Sequence, residues 1–150
     1  MDCLSSDWMI EYATNAVVVV LGIFLFAAIS MFISKRWGAP WVISDDLTIG
    51  RMLALAKLKE GDTVVDLGAG DGRILIRAAQ NFRVKGLGIE IDPVRVLLAR
   101  FFIRRRGLSR DIRIQWGDIF SADFSTADAI VMYMTRESNT RLRPIFEAQL

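Results

Sequence analysis

The segment from Thr63 to Ile76 constrains this chain more than any other. A short apolar strand pattern, Thr63-Val64-Val65-Asp66-Leu67, runs directly into Gly68-Ala69-Gly70-Asp71-Gly72 and then into the helical pattern of Ile74, Leu75, Ile76, Ala78 and Ala79. Glycines at alternate positions let the turn run tight and bring the backbone close to a ligand. The helix N-terminus behind them, which Asp71 is placed to cap, offers free N–H donors and a positive dipole end. Arg73 stands where the dinucleotide fingerprint has its third glycine, which argues against NAD or FAD. A bare tight connection would use a similar turn, so its meaning depends on what lies at the neighbouring strand ends.

Two further acids answer that. Gly86-Leu87-Gly88-Ile89-Glu90 places a carboxylate at the end of a second strand, 18 residues past Gly72. There it can accept both hydroxyls of a ribose bound across the strand ends, at the switch point of an open sheet. A third strand, with Ile112, Ile114 and Trp116 alternating, is followed by Gly117-Asp118, whose acid can accept from an adenine amino group. Each acid alone reads as a turn or strand-end residue. Three at three successive strand ends, in order, read as a nucleoside site. Trp116 is expected in the core or as an adenine wall.

The other elements follow from pattern and caps. Asp45 or Asp46 caps a helix through about Leu58. The second strand runs from Lys85 to Ile91. Asp92-Pro93 opens a helix with proline at its first turn, and Gly107 ends it behind Arg104, Arg105 and Arg106. A fourth strand covers Asp128 to Met134, and a last helix begins near Ser138 and carries Pro144. Strands alternating with helices predict an α/β domain with a mainly parallel sheet.

These residues resemble the class I methyltransferases that use S-adenosylmethionine (SAM), over about Asp45 to the chain end. The resemblance implies a Rossmann-like SAM-binding sheet. Asp66, Gly68 and Gly70 would line the methionine side, Glu90 would hold the ribose and Asp118 would lie near the adenine, with Ala69, Ile91 and Ile119 also among the cofactor-binding residues. Tyr133, Met134 and Thr135, after the fourth strand, would face the substrate. Asp66 to Ile74 (DLGAGDGRI), Gly88 to Pro93 (GIEIDP), Gly117 to Phe120 (GDIF) and a hydrophobic span followed by Pro40-Trp41-Val42-Ile43-Ser44 are similar to the membrane-associated protein-lysine methyltransferases, including those acting on the ATP synthase c-subunit. In that branch a Thr-Pro pair lies near the cofactor, and Ser44-Asp45 stands in its place.

Composition narrows the chemistry. The chain has one cysteine, Cys3, and no histidine, which rules out an intrachain disulfide, Cys/His zinc sites and Ser-His-Asp or Cys-His nucleophiles. No metal is expected. Methyl transfer from a sulfonium needs no imidazole, because the methyl group is already activated.

The hydrophobic fraction, 53%, is concentrated in Ala16 to Ile33, 18 residues without a charge. That run sits at the short end of the length needed to span a bilayer. Acids precede it and Lys35-Arg36 follow it, unlike a secretory signal, and the positive-inside rule places the remainder on the cytoplasmic or matrix side of a single-pass protein. The expected organisation is a short segment (1–14), a transmembrane helix (15–34), a linker (35–44) and the catalytic domain (45–150). From Lys35 onward the chain holds all 19 basic residues and 14 of the 17 acidic ones, a net +5. Such a domain is attracted to an anionic leaflet by about 1 kcal/mol per adjacent cation. No nucleic-acid motif accompanies the arginine cluster, which reads most simply as a solvated helix end.

The methyltransferase fold has seven strands and four are legible here, so a C-terminally truncated domain with an unpaired fourth-strand edge is expected. The leading function is methylation of a lysine on a protein at or near the membrane. The alternatives are a lipid or quinone head group as acceptor, a non-catalytic membrane protein that keeps the fold, and a nicotinamide oxidoreductase, which Arg73 opposes.

Overall fold

Four strands pair in parallel in the order β3-β2-β1-β4: β1 Thr63–Leu67, β2 Lys85–Glu90, β3 Ile112–Trp116 and β4 Ala129–Met132. The computed structural model describes residues 4–37 and 44–149. Five helices, α1 Leu4–Trp37, α2 Asp46–Leu55, α3 Arg73–Phe82, α4 Pro93–Arg105 and α5 Arg136–Gln149, complete it. The chain moves outward through β1, β2 and β3 and then returns to place β4 on the other side of β1. The reversal puts a switch point between β1 and β4, and open α/β sheets bind ligands at the carboxyl ends beside such a point.

Alternation along the strands sorts side chains into two cores. Val64, Ile112, Ile114 and Val131 share one with Ile49 and Leu53 of α2, Leu75 and Ala78 of α3, and Val96, Ala99 and Ile103 of α4. Val65, Leu67 and Ile89 share the other with Phe124 from the loop after β3 and Leu142 from α5. The sheet is therefore covered on both faces, as parallel sheets require.

Glycines in β2 make the first face possible. Gly88 lies opposite Asp66 in the register, and a Cβ there would sit 2.5 Å from Ile114 and 2.7 Å from Ala69. Only a bare backbone lets the glycine turn and α3 close onto the sheet. The β3 edge is protected locally: the Ile112 N–H donates to Leu108 O at 2.9 Å, and the Arg100 guanidinium donates to Ile114 O at 2.8 Å. β4 forms the other edge of the described sheet, as its sequence position led one to expect.

Several boundaries differ from the sequence expectation. Asp45 does cap α2, accepting from the Thr48 N–H and hydroxyl at 2.8 Å each, but α2 stops at Leu55 rather than Leu58 because Lys57 turns left-handed at φ 50°. Asp71 is not the cap residue of α3. Gly72 takes the cap position at φ 78°, and the Asp71 carboxylate accepts from the first helix N–H, that of Arg73, at 3.2 Å while the Arg73 guanidinium holds both its oxygens. β2 ends at Glu90, one residue short of Ile91. β4 excludes Asp128, whose N–H and carboxylate both bond Thr63, and Tyr133 to Met134, which have left the ladder. α5 begins at Arg136 rather than Ser138, because the Thr135 hydroxyl accepts from the Ser138 N–H at 3.3 Å.

The apolar run lies within α1, which is longer than the expected span. Its 34 residues include Trp8–Phe26, a stretch of 19 with mean hydropathy 2.0 that is long and apolar enough to cross a membrane. Lys35 to Trp37, expected as linker, are helical; the rest of that linker up to Ile43 lies outside the described residues.

Replacing Gly88 with alanine is expected to lower unfolding stability by about 1–3 kcal/mol through overpacking. Replacing Gly50, which sits inside α2 with open space around it, is expected to raise stability by up to about 1 kcal/mol. Urea unfolding of the two variants beside the parent checks both signs.

Candidate functional site

Asp66 is the penultimate residue of β1, and it is fully buried. Its partners across the ladder are Gly88, which brings no side chain, and Val131, which brings no donor. Neither carboxylate oxygen has a hydrogen-bond partner among the described residues. Loss of solvation, followed by repulsion from the Glu90 and Asp71 carboxylates, pushes its pKa from 3.8 up to about 8.

Glu90, at the end of β2, is buried too but well supplied. One oxygen accepts from the Gly70 N–H at 2.8 Å and the other from the Asp92 N–H at 2.9 Å. It therefore joins the glycine turn to the cap of α4, where Asp92 in turn accepts from the Val94 N–H at 2.9 Å. The turn's other donors are also largely spent internally. The Gly68 and Ala69 N–H groups both reach Ile89 O, at 2.9 and 3.0 Å, and the Gly72 N–H reaches Ala69 O at 2.8 Å. The turn is thus a preformed, self-satisfied bend and not the open nest of donors that a phosphate would need. A cationic or neutral ligand suits it better than a polyphosphate.

The other expected residues converge on the same end of the sheet. Gly68 is exposed at φ 82°, and a Cβ there would lie 3.7 Å from Met134, so the segment after β4 closes over the turn. Tyr133 is about half exposed beside it, whereas Thr135 is engaged as the cap of α5, with its hydroxyl 3.1 Å from that of Ser138. Ile91 offers its carbonyl to the Trp116 indole N–H at 2.9 Å. Trp116 is not in the core: it is 65% exposed, because the side chain at the last position of an edge strand has no helix over it. Gly117 N–H donates to Glu90 O at 3.0 Å, which draws the Asp118 loop towards β2. The Asp118 carboxylate accepts from the Phe120 N–H at 3.0 Å, Ile119 is buried beneath it, and the Arg141 guanidinium of α5 stacks 3.9 Å from the Phe120 ring.

One part of the site had no sequence signal read for it. The Arg73 guanidinium chelates Asp71 with contacts of 2.6–3.1 Å and also donates to Ser44 O at 3.3 Å, while Arg77 pairs with Asp46 at 2.6 Å. These two arginines, one turn apart on α3, fix the entry to α2 beside the glycine turn. The spacing of Arg73 and Arg77 was the available clue.

A parallel sheet ordered 3-2-1-4, a glycine turn after β1 and acids at three strand ends define a SAM-dependent methyltransferase. The comparisons with known proteins agree. The family described as the ANTKMT methyltransferase domain matches residues 66–150, and the chain belongs to that family. It is 38% identical over 112 residues to a protein-lysine N-methyltransferase of Saccharolobus islandicus, covering 74% of this chain and 70% of that one. It is 26% identical to the ATP synthase c-subunit lysine N-methyltransferase of Xenopus laevis, over 84% of this chain but only 56% of the relative. Among solved structures it is similar to an RNA methyltransferase of Salinibacter ruber in complex with S-adenosylhomocysteine, with a TM-score of 0.71, 42% identity and coverage of 73% and 71%. SAM is accordingly the cofactor, and a buried carboxylate without a donor beside a bare glycine turn fits a ligand that carries positive charge.

Because the folded pKa of Asp66 lies above its unfolded value, the folded state holds a proton that the unfolded chain has released. The contribution of Asp66 to the stability of the ligand-free protein is therefore greatest below the ordinary carboxylate range and is lost as pH rises towards about 8. The expected slope from this one group is up to about 1.4 kcal/mol per pH unit. Asp66→Asn is expected to remove that component, so urea unfolding at several pH values should give a flatter profile for the variant.

Proposed function

We propose that this methyltransferase acts on a lysine side chain of a protein at or near a membrane, with α1 as a single-pass anchor and residues 45–150 as the catalytic domain on the cytoplasmic or matrix side. The observation that carries the cofactor site is the convergence of partnerless Asp66, Glu90 and exposed Gly68 at one end of the sheet. In this reading Asp66, Gly68, Ala69 and Gly70 take the methionine side. Glu90 has one further lone pair on each oxygen for ribose hydroxyls, with Ile91 beside it. Asp118 and Ile119 take the adenine. Met134 closes the pocket over Gly68, Tyr133 meets the amine, and Thr135 holds that segment in place through its cap. When bound, SAM supplies a methyl group on a sulfur that leaves as a neutral thioether, so these residues need only align an unprotonated amine in line and exclude water.

The lysine assignment is supported by the family and by the names of the Saccharolobus and Xenopus relatives. The anchor is supported by the length and hydropathy of Trp8–Phe26. A second reading, RNA as acceptor, is favoured by the name of the Salinibacter neighbour.

The test incubates the full chain in vesicles with methyl-labelled SAM and a membrane extract, then separates protein, lipid and RNA. Label is expected in protein, and acid hydrolysis should release it as methylated lysine. Label in the organic extract would replace lysine with a lipid or quinone head group. Label in RNA would establish the second reading. SAM binding without transfer to any fraction would leave a non-catalytic membrane protein. Glu90→Ala and Asp118→Ala are each expected to weaken SAM binding by about tenfold or more, measured by calorimetric titration.

A further inference from the structure

The outward face of α4 is built unlike that of an ordinary surface helix. Val96, Ala99 and Ile103 are buried against the sheet. At 3.6 residues per turn the opposite face carries Leu97, Leu98, Phe101 and Arg105. The three apolar side chains are 61%, 45% and 55% exposed, where a peripheral helix normally presents polar residues. Cations border the strip. Beside α4 and the β3 edge lies a groove of about 530 Å³ rimmed by Arg100, Arg104, Arg110 and Arg113, with Asp111 as its one carboxylate. Among the described residues no carboxylate forms an ion pair with Arg104, Arg105, Arg110 or Arg113.

We infer that this face, α4 with the basic groove, docks on the surface of an anionic bilayer. Exposed Leu and Phe on a helix flanked by arginines match the pattern of helices that lie in the membrane interface, with the apolar side chains among the acyl chains and the cations at the phosphates. Leucines offer no stacking platform, so the strip fits a lipid surface better than the bases of a nucleic acid. The tether brings the two together. Six residues separate Trp37 at the end of α1 from Ser44, so the domain begins no more than about 25 Å from that helix end. Docking then becomes an event within one molecule, at high effective concentration. It would hold the catalytic domain in one orientation to the leaflet, beyond what an anchor alone can do.

The inference rests on the anchor proposed above, and the experiment separates the two. The full chain, carrying Cys3→Ser and Phe101→Cys labelled with an environment-sensitive nitrobenzoxadiazole dye, is reconstituted into vesicles of phosphatidylcholine alone or mixed with phosphatidylglycerol. Flotation reports the anchor, and dye emission with quenching by spin-labelled lipid reports the docking. In anionic vesicles the emission is expected to shift to the blue and be quenched from the lipid side. Arg104→Glu with Arg105→Glu should lower the docking equilibrium constant by about fivefold or more per cation removed while leaving SAM binding intact. A chain that does not float contradicts the anchor. A chain that floats with the dye equally open to aqueous iodide in both vesicle types contradicts the docking alone. Protection of the dye by a single-stranded RNA, with anionic vesicles leaving it exposed, would also overturn the docking and assign the face to nucleic acid.

Discussion

The structure is organised around a carboxylate that the fold deprives of solvent and of partners. Asp66 sits on the central strand β1, between a glycine of β2 and a valine of β4, with Glu90 and Asp71 as its electrostatic neighbours. Burying an acid in this way is unfavourable unless it stays protonated or meets a cation. Nothing in the described residues supplies that cation. In the site proposed above, the positively charged end of SAM would supply it. The same burial that weakens the ligand-free protein towards alkaline pH would then favour SAM over an uncharged nucleoside.

The parts around Asp66 keep it in that state. Gly88 leaves room for the turn and for α3 to close over the strand, and Glu90 bonds the turn to the head of α4 through two backbone N–H groups. Arg73 holds Asp71 and ties that segment to Ser44, and the Asp71 carboxylate still adds to the repulsion on Asp66. The Met134 segment covers Gly68 from the β4 side, and α5 holds the Asp118 loop through Arg141 over Phe120. Each helix that touches the site thus reaches it through one or two identifiable side chains.

Much of this was legible in the chain. The strand-turn-helix around Asp66, the acids at Glu90 and Asp118, the Asp92-Pro93 helix start and the Asp45 cap all follow from local pattern, because local sterics and caps decide them. What could not be read was set by partners distant in sequence or by competition between near neighbours. Asp71 has two partners, and its carboxylate serves both: it accepts from the first N–H of α3 and is held at both oxygens by the guanidinium two residues on. Glu90 was read as a ligand contact, and its bonds to Gly70 and Asp92 emerge only when β2 lies beside β1. Trp116 was expected in the core or as an adenine wall; the core is excluded because β3 is an edge strand and its last position has no cover. The apolar outer face of α4 was hidden within a helix pattern whose buried residues account for only one side.

The most direct test of the central claim is the proton count on cofactor binding. SAM is titrated calorimetrically into the full chain near neutral pH in two buffers of different ionisation enthalpy. If Asp66 is protonated in the free protein and ionised against the bound cation, about one proton is released per SAM, and Asp66→Asn binds more weakly with no such release. Binding with no proton exchange, and equally tight in Asp66→Asn, would contradict the account.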